Sequence, residues 1–299
     1  MVLRTSRRRF FGQAAAWSGV LFLPRGLYAA RGTWTVDQVP LGKTGLRLSR
    51  IGFGTGSRGG SVQRALGKQK FVSLIRYAYD RGITYIDTAE AYGTHSWIGE
   101  AVKELPREKL FIQTKVPGVP DDVLERINRY RKELKVDYID SVLVHCASKR
   151  SWVEDRKRVL DALQAAKQKG LIRAHGVSCH SLPALRRAVE TPWVQVHLVR
   201  INPQGAHMDT PAERWNARSD ARSVPAVVAE LKRMKAEGRG IIGMKIIGNG
   251  DFTNPADRER SIRFAAQTGL VNAFVIGFKN RQEIDEAIER TRAALASAK

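Results

Sequence analysis

The 299-residue chain contains only two cysteines, Cys146 and Cys179, too few for a disulfide framework or a cysteine-based metal site. Each follows a predicted strand at the same end of the fold, so in an oxidising compartment the two could pair if their geometry allows. Acidic residues are scarce: 29 Asp and Glu face 51 Lys and Arg, a formal charge of +22. Nucleic-acid binding would need those bases clustered with aromatics or on one face. They are spread instead through segments such as RKELKVD and KRVLDALQAAKQK, where bases flank an apolar stripe and read as solvated helix faces. No nucleic-acid partner is expected. Metal-ligand spacing is also missing, since His175 and His180 bracket Cys179 but the first lies within a predicted strand, and no metal site is expected. No apolar run comfortably crosses ~30 Å of hydrocarbon, so no stable membrane span is expected beyond an uncleaved leader.

The first thirty residues form a separate segment. Four arginines occur by position 9, followed by a short apolar run broken by Gly, Trp and Ser, then Pro24 and small residues. Ser6-Arg7-Arg8-Arg9-Phe10-Phe11 resembles the twin-arginine export signal, which directs folded proteins out of the bacterial cytoplasm. Residues 1–30 are therefore expected to be a signal segment, with the twin-arginine export machinery as a partner and a periplasmic or exported location; a non-functional signal would leave the protein cytoplasmic. Either the mature chain begins near Arg31 or the segment persists as a tether. Removing residues 1–31 takes away six arginines and no acids, leaving 22 − 6 = +16, so the body is basic on its own account.

Hydrophobic residues make up 43% of the chain, enough for one large core over 31–299. WTVDQVPLGKTGLRL, residues 34–48, alternates around Gly42 and Gly45 and predicts a small hairpin. Eight short apolar runs follow: RIGFGT, ITYIDTA, KLFIQTK, YIDSVLVH, IRAHGVSC, VQVHLVRIN, GIIGMKIIG and NAFVIGF. Helix-like segments near 69–81, 96–105, 121–133, 155–169, 181–190, 222–237 and 256–268 separate them, and another at 281–296 closes the chain. Eight strand–helix units predict an α/β fold, a (β/α)8 TIM barrel with a short N-terminal β-hairpin. An open doubly wound sheet is disfavoured because GTGSRGG after the first strand lacks dinucleotide-fingerprint spacing.

In such a barrel the strand C-termini converge on one face. Asp87 and Tyr92 follow the second strand, Lys115 ends the third and His145 ends the fourth. Alone, each has a plainer reading: Asp87 as a cap, Tyr92 as a pocket wall, Lys115 as a solvent-facing residue before the Pro117 turn, His145 as a satisfied polar group. Together they suggest a carbonyl-reducing site. Tyr92 would give a proton to a carbonyl oxygen as hydride reaches the carbon, Lys115 would favour the ionised phenol, Asp87 would hold Lys115, and His145 would orient the carbonyl.

These motifs resemble the aldo-keto reductase family over nearly all of the chain after the leader. The resemblance rests on LGKTGLRLSRIGFGT, DTAEAYG with Asp87 and Tyr92, QTK with Lys115, VLVH with His145, GVSCH, GMKIIG and VIGFKNRQEIDEAI. It implies a (β/α)8 barrel transferring hydride from NADPH, or less often NADH, to an aldehyde or ketone, with those four residues in the roles above. It further implies cofactor contacts at Gly54, Thr55, Ser178, Cys179, Met244, Lys245, Gly277, Lys279 and Arg281. The chain departs from the family pattern at Cys179, where an asparagine amide commonly stands, and at Met244, where an aromatic ring commonly stacks. The family glutamine of the sixth strand maps to Gln195 or to Leu198. Lys279 and Arg281 would grip a 2′-phosphate, whereas the charge of Glu283 would oppose it, so NADPH is favoured only slightly over NADH.

Trp97 and Trp152 are expected as aromatic walls for an apolar carbonyl substrate, and residues 202–220, with Trp215, as either a substrate loop or a surface excursion. A non-enzymatic nicotinamide-binding or regulatory barrel is the alternative function, supported by Cys179 and Met244 at cofactor positions. A third reading is a scaffold or an enzyme using another bound electron source.

Overall fold

A computed structural model describes residues 36–298; the expected signal segment, residues 1–30, lies outside the described residues. The predicted hairpin forms as β1 (Gln38–Pro40) and β2 (Arg47–Ser49), paired antiparallel. Eight parallel strands follow: β3 (Ile51–Gly54), β4 (Tyr85–Asp87), β5 (Phe111–Val116), β6 (Ile139–Ala147), β7 (Ile172–Cys179), β8 (Val196–Arg200), β9 (Gly240–Met244) and β10 (Ala273–Ile276). They close in sequence order, with β10 pairing β3. The expected (β/α)8 barrel with its N-terminal hairpin is the observed fold.

A principal helix follows each strand: Lys68–Asp80, His95–Val102, Val123–Leu134, Lys157–Gln168, Leu182–Val189, Val224–Ala236, Pro255–Gln267 and Arg281–Ala296. Local chemistry sets several of their starts. Ser181 accepts from the Ala184 N–H at 3.1 Å ahead of Pro183, and Asn280 accepts from the Glu283 N–H at 2.9 Å. Both satisfy a donor that the first helical turn would leave orphaned.

Two apolar layers hold the barrel. The outer one packs strand residues such as Ile86, Ile112, Val142 and Val177 against the helices. The inner one fills the lumen with Tyr85, Phe111, Leu143, Leu198 and Ile242, joined by Leu41, Leu46 and Leu48 of the hairpin region. Each fully buried Leu or Ile contributes about 1.5–3 kcal/mol. The hairpin seats at the N-terminal end, where the Lys43 N–H donates to Gly238 O at 2.8 Å. Gly42, at φ 50°, permits this approach, because a Cβ there would lie 2.4 Å from the Arg239 carbonyl carbon. With that end closed, polar side chains gather at the other.

Candidate active site

Asp87 is the last residue of β4, and β5 carries Lys115 beside it. The Lys115 ammonium lies 2.8 and 2.9 Å from the two Asp87 oxygens and 2.7 Å from Thr88 O. Gln113 donates to the same carboxylate at 2.9 Å and to the Tyr85 hydroxyl oxygen at 2.8 Å. Burial pulls the Lys115 pKa below the usual lysine range, while Asp87 opposes that shift. A charge this deep persists only because it is paired and hydrogen-bonded.

Tyr92 sits in a short turn of 3-10 helix, Glu90–Tyr92, after β4. Its ring lies 5.0 Å from the Lys115 ammonium, and its hydroxyl is 3.3 Å from His145 Nε2. Gly56 makes room for the phenol, since a Cβ there would stand 2.6 Å from the ring. Burial pushes the phenol pKa well above the ordinary range, and the charges of Asp87 and Cys146 push the same way. Before any proton transfer Tyr92 therefore rests as a neutral phenol, with the Lys115 ammonium held by Asp87.

His145 reaches this site through an irregularity in β6. The register with β7 shifts between Val144 and Ala147, and Cys146 adopts φ 57°. Such bulges re-aim side chains at barrel rims. Burial, aided by the Lys115 and Arg156 charges, lowers the His145 pKa to about 3, leaving a neutral imidazole. Arg156 donates to His145 O at 2.6 Å and pins this turn.

The cleft beside Tyr92 has two connected chambers. The inner one is lined by Gly54, Asp87, Tyr92, His180, Met244, Lys245 and Gly277, among others. Ser57, Ile247, Asn249, Ile276 and Gly277 continue into an outer chamber that also holds Arg58, Arg258, Lys279 and Glu283. Of the cofactor positions implied by the resemblance, Gly54, Met244, Lys245 and Gly277 line the inner chamber and Lys279 the outer one. The others lie elsewhere. Thr55 is fully buried against Asp87 O and Thr94. Ser178 lies behind His180, with its hydroxyl 3.1 Å from Nε2. Cys179 points outward into the helix–sheet layer, fully buried, because adjacent strand residues face opposite sides. Arg281 lies over the Tyr77 ring at 4.8 Å, facing an outer groove rather than the cleft.

Other sequence expectations are corrected in the same way. Gln195 precedes β8 at its N-terminal end, where its Oε1 accepts from Lys167 at 2.8 Å, while Leu198 fills the lumen. Trp152 is buried in the outer layer and donates to Ala184 O at 3.2 Å. Trp97 packs edge-on against Phe71 at 5.5 Å. Neither is a substrate wall. His175 stacks on Trp193 at 4.2 Å outside the lumen, whereas His180 faces the cleft, so the two share no site. Cys146 and Cys179 lie within the ends of β6 and β7 as free thiols.

The sequence reading missed Arg200. Its guanidinium, buried at the end of β8, donates to His180 Nδ1 and to Trp215 O, the latter at 2.5 Å. Its nearest carboxylate, Asp209, stands 3.6 Å from Nε, and burial lifts the Asp209 pKa to about 7. Residues 202–220 are thereby tied to the barrel, helped by Asn202 donating to Ala206 O at 2.7 Å and Lys245 O at 3.1 Å. Trp215 itself is 61% exposed. An arginine ending the strand VHLVR was the available signal.

Residues 50–260 match the model of the aldo/keto reductase family. Among curated proteins, "Probable aldo-keto reductase 1" of Glycine max is 33% identical over 168 residues, covering 51% of this chain and 48% of the relative. Aldo-keto reductase YhdN of Bacillus subtilis is 33% identical over 162 residues, covering 49% and 48% respectively. The chain thus spans about half the length of the curated relatives it matches. A solved structure titled "Putative aldo-keto reductase from Pseudomona aeruginosa" superposes with a TM-score of 0.70 at 25% identity, over 89% of this chain and 98% of that one.

Proposed function

The chain belongs to the aldo/keto reductase family, and we propose that it reduces an aldehyde or ketone with NAD(P)H, Tyr92 supplying the proton. The observation that carries this reading is one arrangement: a neutral Tyr92 phenol 3.3 Å from a neutral His145, above a lysine locked to Asp87. A substrate carbonyl oxygen accepted between Tyr92 and His145 would meet two uncharged donors, provided His145 carries its proton on Nε2. As the Tyr92 proton leaves, the Lys115 ammonium offsets the phenolate that develops.

The cleft suits a dinucleotide by its donor set. Met244 offers a polarizable surface in the inner chamber, while the outer chamber carries the Arg58 and Lys279 side chains and the backbone ahead of the Arg281–Ala296 helix. Gly54, Gly277, Met244 and Lys245 would hold the nicotinamide end, and Arg58 and Lys279 the phosphates. Bound there, the nicotinamide would supply hydride. Glu283 already accepts from the Lys279 N–H at 2.7 Å and pairs with its ammonium at 3.3 Å, which supports a weak preference between NADPH and NADH.

Fluorescence titration of NADPH and NADH against residues 31–299 tests the reading. Saturable binding supports it; no binding at about 100 μM, well inside the usual KM range, would favour the non-enzymatic barrel. That alternative has lost one support, because Cys179 does not face the cleft. Residues 1–30 are proposed as a twin-arginine signal carrying the folded barrel out of the cytoplasm, on the strength of the SRRRFF motif alone.

A further inference from the structure

Tyr92 stands on a short element. The 3-10 turn Glu90–Tyr92 has no side-chain cap and is followed by Gly93 at φ 64°. A helical segment of this length does not hold its own shape. Ala91 and Gly93, on either side of Tyr92, are exposed, so packing does not fix the backbone there. Polar ties do. Arg64 donates to Tyr92 O at 2.5 Å and to Gly59 O at 3.3 Å, which joins one edge of the turn to the loop after β3.

Glu90 holds the other edge. Its Oε1 accepts from Arg126 and from Arg129, each at 2.7 Å, and its Oε2 accepts from Arg126 at 3.0 Å and from the Tyr130 hydroxyl. All three donors stand on the Val123–Leu134 helix. Burial and the bond to Glu90 raise the Tyr130 pKa above the ordinary range, so its hydroxyl remains a donor. Arg126 is itself set by Asp122 at 2.6 Å. The Tyr130 ring lies 4.9 Å from the His95 ring, and His95 Nε2 is 2.8 Å from the hydroxyl of Thr114, the neighbour of Lys115 on β5. Contacts therefore run unbroken from the Tyr92 turn to the strand that carries Lys115. Glu90 and its three partners are absent from the lining of both chambers of the cleft, so they reach the site only through the turn.

We propose that Glu90 is a positioning residue: its carboxylate, fixed by Arg126, Arg129 and Tyr130, sets the backbone of the Tyr92 turn and thereby the place of the phenol hydroxyl beside His145. The kinetic consequence rests on the reductase reading; the placement of the hydroxyl does not. A proton donor displaced by about 1 Å loses up to about a hundredfold in rate. The plainer role is an ion-pair cluster that only steadies the fold.

A double-mutant cycle with Tyr92→Phe separates the two roles. Glu90→Gln keeps the shape of the side chain and removes its charge. With 4-nitrobenzaldehyde as substrate, kcat and kcat/KM should fall together by about 10–100-fold, while the NADPH dissociation constant stays nearly constant. In the Tyr92→Phe background, which has no hydroxyl to place, the same substitution should cost little more. Undiminished turnover in Glu90→Gln overturns the proposal, and so does an equal loss in both backgrounds, which is the mark of the plainer role. If Glu90→Gln does not fold, Tyr130→Phe carries the test: it removes one donor to Glu90 and should give a smaller loss that Tyr92→Phe again cancels, with an equal loss in both backgrounds or none in either overturning the proposal. Protein labelled with 3-fluorotyrosine gives a readout that needs no turnover. The Tyr92 fluorine resonance, identified by its absence in Tyr92→Phe, should shift or broaden in Glu90→Gln or, failing that, in Tyr130→Phe. If no aldehyde is reduced and the resonance moves, the reductase reading fails and the positioning role stands; an unmoved resonance overturns the positioning role as well.

Discussion

Lys115 carries its ammonium in the fork of Asp87, 2.8 and 2.9 Å from the two oxygens, with both side chains nearly withdrawn from water. Breaking such a pair by removing one partner strands the other charge, at about 3–5 kcal/mol. Lys115→Met should lower the denaturant midpoint accordingly and suppress turnover. The double variant with Asp87→Asn should recover much of the stability without recovering turnover. A single variant as stable as the native protein would show that the pair does not hold this end of the barrel.

Tyr92→Phe removes the hydroxyl beside His145 and leaves the ring over Lys115. Turnover of any accepted aldehyde should fall by about 10²–10⁴-fold, the usual share of a positioned acid. NADPH affinity should stay nearly unchanged. Steady-state kinetics beside fluorescence titration measure both, and undiminished turnover would remove Tyr92 as the proton donor.

Glu283 places its carboxylate on the Lys279 N–H and ammonium, where a 2′-phosphate would compete with it. Glu283→Gln should tighten NADPH by about threefold to tenfold relative to NADH, the scale of one exposed charge contact. A ratio of dissociation constants that does not move would place phosphate recognition elsewhere, with Arg58 the next residue to substitute.

Acidification should destabilise the barrel. His145, His175 and His197 titrate in the folded protein at about 3, 4 and 3, below ~6.5 in the unfolded chain. As pH falls below ~6.5, the unfolded chain binds protons that the folded one refuses, and stability declines. Asp209 acts in the opposite sense. Its pKa, raised to about 7, contributes stability at low pH that is lost as pH rises through 7. Three histidines outweigh one aspartate, so the urea midpoint should be lower at pH 5 than at pH 7.5, and Asp209→Asn should widen the gap. A higher midpoint at pH 5 would mean that the histidines are not held neutral.

If the leader is a twin-arginine signal, replacing Arg7 and Arg8 together by Lys should retain most of the protein in the cytoplasm. Fractionation of cells expressing both forms reads this directly; equal export of the two would remove the assignment.

Much of the fold was legible in the residues because its signals are local. Apolar runs of strand length and amphipathic helices repeat eight times, and a chain of alternating units has few ways to bury parallel strands on both faces. Barrel closure then brings strand ends together, so Asp87, Tyr92, Lys115 and His145 could be grouped from their positions alone. The sequence by itself determined the barrel, the order of its strands and the four polar residues at one mouth. Only the tertiary structure decided which side chains share that mouth. Cys179 faces the helices while Ser178 lies behind His180, because alternation has period two and its phase follows from pairing with neighbouring strands. Gln195 fell at the wrong end of β8, Trp97, Trp152 and Arg281 found partners on other elements, and Arg200 met His180 at the end of the neighbouring strand. Those contacts join residues distant in the chain, and barrel stagger rather than local propensity sets which of them meet.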